Sequence, residues 1–380
     1  MRRGCGWLFA MMATLTVLRA SAAPAQVTPA VNTPPPDDTP TVRVGGTLFA
    51  DYSYTFAPES ADADGRRFNA NAFNVSRAYL NVTGQLNHVL AFRITPDIVR
   101  ETGPGSSANG RLTLDLKYGY AQVNLDDWLW RGSYVRAGMI QTPYVDFEES
   151  IYRYRFQGTV FAEREGYLLS SDYGVAFRTQ FPKGYGEVVG GVFNGEGFSK
   201  FEPNDQKAVQ IRGTLRPFPN ANARRGLRLT VFYDADHYSG NAERRRTVGL
   251  ASFEHQFVNI GAEYVDAADR TAASAARVDS DGFSLWITPR MPLGPLPVAP
   301  PAGIVRASLE GLFRVERRRP DRANESAKDR WIAGVAYWPS MRAAAVSAAF
   351  LVDYELVRYH RFAASIPAEK RLAMHMLIVF

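Results

Sequence analysis

The chain has 380 residues, of which 22% are charged and 12% aromatic, with one cysteine and a formal charge of +6. After residue 25 it lacks any apolar run of the roughly 20 residues that a membrane-crossing helix needs, which excludes a helical membrane protein. So small a charge is not the footprint of a nucleic-acid binder, and one cysteine excludes a disulfide-stapled scaffold.

Residues 1–25 read as a secretory signal peptide. Arg2 and Arg3 give a positive start, and Trp7 to Leu18 form an apolar core too short to span. Ala20-Ser21-Ala22 and Ala23-Pro24-Ala25 both fit the cleavage pattern. The segment carries Arg2, Arg3 and Arg19 and no acid, so its removal lowers the charge by 3, from +6 to +3. It also takes away Cys5, the sole thiol. Residues 26–41 are Pro- and Thr-rich without apolar period and read as a periplasmic linker.

From Val42 to Phe380 the texture is uniform, with no break that would divide it into domains. Alternation predicts sixteen strands, near 42–56, 68–86, 87–98, 112–125, 132–141, 170–182, 184–195, 205–217, 226–237, 244–256, 257–268, 279–290, 303–317, 328–339, 344–358 and 369–380. In the last, Leu372, Met374, Met376, Ile378 and Phe380 share one face, opposite Arg371 and His375. Leu309, Phe313 and Val315 likewise oppose Ser308, Glu310 and Arg314. A period of two makes one greasy and one wet face.

Short turns near Leu86, Lys183, Phe257 and Pro339 alternate with longer polar loops at 57–67, 99–111, 142–169, 196–204, 267–278, 318–327 and 359–368. Short periplasmic turns and long outer loops are the habit of bacterial membrane barrels. The Pro-rich stretch 291–302 falls where a short turn belongs, so either the strand count slips there or the turn carries an insertion. Aromatic residues near strand ends suit interfacial girdles: Tyr52, Tyr54 and Phe56; Trp128 and Trp130; Phe232 and Tyr233; Tyr337 and Trp338. The expected fold class is therefore all-β: a transmembrane antiparallel barrel of sixteen strands in the outer membrane, contacting outer-membrane lipid and lipopolysaccharide.

In such a barrel, function lies in the charges of the lumen and in whatever narrows it. The wet faces carry Arg77, Arg93, Arg136, Arg178, Arg212, Arg216, Arg228, Arg306 and Arg314, against Asp51, Asp97, Asp115, Asp234, Glu263, Glu310, Asp353 and Glu355. Arginine forks bind anions, although cross-strand pairing of these charges is the plainer reading of any single one. Residues 142–169 form the third outer loop and hold too many aromatics for a free loop; folding into the lumen would bury them. Arg153 and Arg155, beside Tyr152 and Tyr154, would then meet Asp146, Glu148, Glu149, Glu163 and Glu165 at a constriction. If extended, that segment puts both arginines on one face; if helical, they diverge.

Enzymatic chemistry has little to stand on. The five histidines are scattered without metal-ligand spacing, so neither a metal nor a cofactor is expected. Asp234, Asp236 and His237 suggest a hydrolytic rim site, yet Asp236 and His237 are adjacent and face opposite ways on a strand.

Residues 73–97 (FNVSRAYLNVTGQLNHVLAFRITPD) resemble the early hairpin of the phosphate-selective porin O and P family. Residues 134–149 (YVRAGMIQTPYVDFEE), with Gly138 and Pro143 at that family's spacing, are similar to its strand entering the third loop. The resemblance implies a homotrimeric porin of sixteen strands with an inward third loop. It departs in that the third loop has no lysine; arginine, a forked donor, takes that place. The final strand closing on Phe380 is similar to the assembly signal of outer-membrane barrels, which implies the barrel assembly machinery as a partner. The expected function is passive diffusion of small hydrophilic solutes with a mild preference for anions, phosphate among them. A binding or adhesion barrel that conducts little is the alternative.

Overall fold

Alternating sequences of this length can satisfy every backbone group only by pairing edge to edge until the sheet closes on itself. The computed structural model shows that closure: one antiparallel barrel of sixteen strands. It describes residues 38–101, 110–221, 224–294, 307–341 and 346–380. The expected signal peptide and most of the linker lie outside the described residues, as does Arg306.

The first eight strands are β1 (Thr41–Ala57), β2 (Asn71–Gln85), β3 (Leu90–Arg100), β4 (Leu112–Asn124), β5 (Tyr134–Gln141), β6 (Ser171–Gln180), β7 (Gly186–Phe193) and β8 (Ala208–Leu215). The second eight are β9 (Leu227–Ser239), β10 (Ala242–His255), β11 (Val258–Asp269), β12 (Val278–Pro292), β13 (Ser308–Arg319), β14 (Ala327–Trp338), β15 (Ser347–His360) and β16 (Glu369–Val379). Each matches one expected strand, with ends shifted by a few residues. The Pro-rich stretch is thus an insertion between β12 and β13, and the strand count does not slip there. One outer connection, between β9 and β10, is reduced to Gly240 and Asn241. Among the described residues no helix is long and apolar enough to cross a membrane.

The barrel closes where β1 pairs with β16, with Thr47 opposite Val379 and Asp51 opposite His375. Phe380 extends this ladder. Its amide donates to the Gly46 carbonyl (3.0 Å), and the Gly46 amide donates to the Phe380 carbonyl (2.9 Å). Glycine is required here, since a Cβ on Gly46 would run into the Phe380 ring and one on Gly45 would lie 2.7 Å from the Phe380 carbonyl oxygen. The last residue is therefore seated in a notch cut by the first strand.

The faces alternate as the period demands. Val231, Phe313 and Met374 are exposed on the outside, while Thr230, Arg314 and His375 are buried within. Two girdle assignments need correction. Phe232 and Trp338 point inward and are buried, while their neighbours Tyr233 and Tyr337 are exposed outside. Adjacent strand residues cannot both face lipid.

Candidate functional site: a third loop packed into the lumen

The third outer loop runs from the end of β5 to the start of β6 and turns inward. It contains two short helices, α1 (Val145–Ile151) and α2 (Phe161–Arg164). Its aromatics find the burial they need. Tyr144, Tyr152, Tyr154, Phe156 and Phe161 are all buried. They form one core with inward-facing wall residues, among them Phe49, Phe232, Val248, Leu250, Trp286, Leu312, Ile332, Trp338 and Leu377. The inner face, expected to be wet from the alternation, is not wet throughout. One side of the inner wall carries an apolar patch, and the loop covers it as a hydrophobic plug.

Polar contacts anchor the loop on strands far away in sequence. The Tyr144 hydroxyl donates to Glu263 on β11 (2.8 Å), and the Tyr154 hydroxyl to Glu310 on β13 (2.9 Å). Asn259 donates to the Ile151 carbonyl (2.7 Å), Arg212 to that of Pro143 (2.7 Å) and Arg314 to that of Thr159 (3.2 Å). Desolvated contacts of this kind fix a loop in one position, because undocking would leave several buried polar groups without partners.

The arginines expected to line a constriction together are separated. Arg155 is buried against Glu149 (2.5 Å) and Glu163 (3.3 Å). Arg153 instead pairs with Glu310 (3.1 Å) and lies 4.4 Å over the Trp338 ring. A turn closed by the Gln157 amide on the Tyr154 carbonyl (3.0 Å) sends them apart. Burial works against the Arg155 charge, yet Glu163 and Glu149 raise its pKa above the ordinary range. Glu148 shows the reverse: burial, with Glu263 beside it, pushes its carboxyl well above the usual carboxylate range. The Tyr152 ring lies tilted against Trp286 at 5.4 Å, and the Arg314 guanidinium lies 4.7 Å over the Tyr152 ring.

Most of the expected wall arginines are engaged in pairs. Arg77 holds Asp97, Arg178 and Arg212 share Glu187, Arg228 holds Glu254 and Arg314 holds Glu316. Arg93 donates to Asn81 and Thr95, and Arg136 to Gln122 and Gln141 between the Tyr120 and Tyr134 rings. The residues singled out in the sequence are thus brought into one lumen, but as structural pairs more than as free anion contacts. Arg306 lies outside the described residues.

A second cluster was missed. Around Glu165, Glu316 and Glu355 gather Arg164, Arg314, Arg318, Lys328, Arg330 and Arg371, six cations around three carboxylates. Burial, with Arg314 and Arg330 nearby, lowers the Arg164 pKa to about 10. The acids lie deeper than the bases that cover them. The Arg371 side chain is 38% exposed over Glu355 at 7%, and Arg318 is 34% exposed over Glu165 at 3%. On the β7–β11 side the order is mixed: Glu187 is more exposed than Arg212 and Asp269 more than Arg246, but Asp236 lies deeper than Arg244. Bases are therefore outermost on the β13–β16 wall, while the opposite side has no single order. Carrying the even-numbered inward parity of Arg314 up to Arg318, Lys328 and Arg330 would have found this cluster.

No family model and no curated protein matches the chain. Solved structures do match it in shape. The anion-selective porin from Comamonas acidovorans is 11% identical, with TM-score 0.58, over 90% of this chain and 100% of that one. The likeness establishes the fold. A Salmonella typhi OmpF complex with daunomycin is 12% identical, with TM-score 0.58, over 90% of this chain and 98% of that one. The trimer form of OmpT, an outer membrane protein of Vibrio cholerae, is 11% identical, with TM-score 0.52, over 90% and 100%. Identities this low carry the architecture alone.

Proposed function

We propose that this barrel is an outer-membrane porin that passes small hydrophilic solutes, anions ahead of cations, between the docked third loop and the β13–β16 wall. The observation that carries this reading is the burial order in the lumen. Along that wall the carboxylates sit beneath the guanidinium and ammonium groups that neutralise them, so a solute in the water-filled space meets positive charge first. Field lines focused by a low-dielectric wall raise the local concentration of the opposite charge. Forked arginines suit phosphate or carboxylate groups, which makes phosphate one member of the expected substrate class. The resemblance of residues 73–97 to phosphate-selective porins points the same way, as does the named selectivity of the Comamonas structural neighbour.

A homotrimer in the outer membrane, surrounded by lipopolysaccharide and delivered by the barrel assembly machinery, is part of the proposal. It is supported by the Phe380 closure and by the trimeric Vibrio neighbour. One observation favours a second reading, a barrel that conducts little: the plug buries Tyr144, Tyr154 and Phe161 completely. The rim-hydrolase reading has less support, since Asp234 and Asp236 are buried inward and Asp236 is paired with Arg244.

Planar-bilayer recording in a potassium chloride gradient tests both. Discrete channels with a reversal potential of the sign set by chloride are expected. A cation-selective channel overturns the anion reading, and a folded barrel without conductance establishes the closed one.

A further inference from the structure

We propose that the outer face of β8–β11 is a binding site for an anionic glycerophospholipid of the periplasmic leaflet, one acyl chain lying in an apolar cleft and the phosphate on a basic shelf below it. The cleft is a shallow, open recess of about 790 Å³. Gly213, Gly249 and Ala251 form its floor, and Leu229, Val231 and Tyr264 its sides. These residues are outward-facing and fall in register: Gly213 pairs with Val231, Val231 with Gly249, and Gly249 with Tyr264. Small residues on alternate strands therefore lower the surface between two ridges. A Cβ placed on Gly213 or Gly249 meets nothing within 4 Å, so neither glycine is there for backbone packing. The outward band of a membrane barrel faces hydrocarbon, and an apolar recess in it is filled by lipid, since water there would lack partners.

The periplasmic edge of the cleft supplies the reason for one lipid to stay. β8 ends at Leu215, which pairs with Leu229, so the cleft stands one or two residues, about 3–7 Å, above the turns. Two of these turns are joined by the Arg216 amide donating to the Tyr185 carbonyl (2.7 Å). They carry Lys183, Arg224 and Arg225, none of which has an ion-pair partner among the described residues. The Arg224 guanidinium lies 4.7 Å over the Phe218 ring, at the level where aromatic girdles meet headgroups. Unpaired cations there complement a lipid phosphate. A chain site and a phosphate site at adjacent heights match one phospholipid of the periplasmic leaflet.

The test uses the full barrel, folded in micelles containing phosphatidylglycerol and read by native mass spectrometry after dilution. The unaltered barrel is expected to retain one phosphatidylglycerol per chain. The Gly213→Leu/Gly249→Leu variant puts side chains into the cleft at positions where a Cβ meets nothing, and should lower retention about tenfold. Arg224→Ala/Arg225→Ala should do the same for phosphatidylglycerol. Migration of unheated samples on gels checks that both variants are folded. Retention unchanged in either variant overturns the proposal. So does loss of oligomer in the glycine variant with lipid retention intact, which would make this face a protein interface.

Discussion

Replacing Phe161 by alanine probes the plug directly. Phe161 opens α2, is fully buried, packs 5.9 Å from the Tyr167 ring and sits over Gly282, whose missing side chain makes room for it. Truncating a buried phenylalanine costs about 3–5 kcal/mol, transfer and cavity together. The strand ladders keep every hydrogen bond in this variant, so the cost falls on loop docking and not on the barrel. At about 1.4 kcal/mol per power of ten, the ratio of docked to undocked loop falls by roughly two to three and a half powers of ten. Single-channel recordings should show frequent steps to a higher conductance. Trypsin should cut after Arg153 or Arg164 in the folded variant and spare the parent. Identical conductance and identical protection would refute the idea that this ring holds the loop in the lumen.

Neutralising the β13–β16 wall with Arg318→Gln and Arg371→Gln should move the reversal potential toward zero, a several-fold loss of anion over cation permeability; an unmoved potential places selectivity elsewhere. Glu310→Gln weakens the acceptor shared by Tyr154, Arg153 and Arg290 and leaves two guanidinium groups undercompensated, a loss of about 3–5 kcal/mol that should appear as a noisier channel with unchanged folded yield. Glu148 gives a pH dependence. Its raised pKa means that docking is stabilised by the proton; the effect is complete below the ordinary glutamate range and is lost as pH rises through the raised value. Open-channel noise should therefore grow as pH rises above the ordinary glutamate range and through the raised value, and Glu148→Gln, which keeps a neutral side chain, should flatten that slope. Gly46→Val places a side chain against the Phe380 ring and should reduce the heat-modifiable folded band on gels while leaving synthesis unchanged.

The strand pattern was legible because a closed barrel leaves each residue only two environments. Leu309, Phe313 and Val315 against Ser308, Glu310 and Arg314 state that choice locally, and a register error of one residue would invert it. The third loop was legible for a related reason: Tyr152, Tyr154, Phe156 and Phe161 need burial, and the lumen is where a loop at that place can find it. Alternation marked the strand that closes on Phe380, but only the β1–β16 register shows that Gly45 and Gly46 shape its seat.

The contents of the lumen were decided in three dimensions. Phe232 and Trp338 read as girdle residues because each has an aromatic neighbour in sequence, and inward orientation becomes visible only once the loop supplies them with an apolar partner. Arg153 and Arg155 read as a pair, yet the chain turns at Tyr154, so that Arg153 reaches Glu310 on the wall while Arg155 pairs within the loop. Charge sign is written in the sequence; depth is not. Whether Glu355 or Arg371 faces the water depends on side-chain length and on neighbours contributed by strands distant in the chain. That order of burial, set by the tertiary structure, puts the bases outermost on the β13–β16 wall.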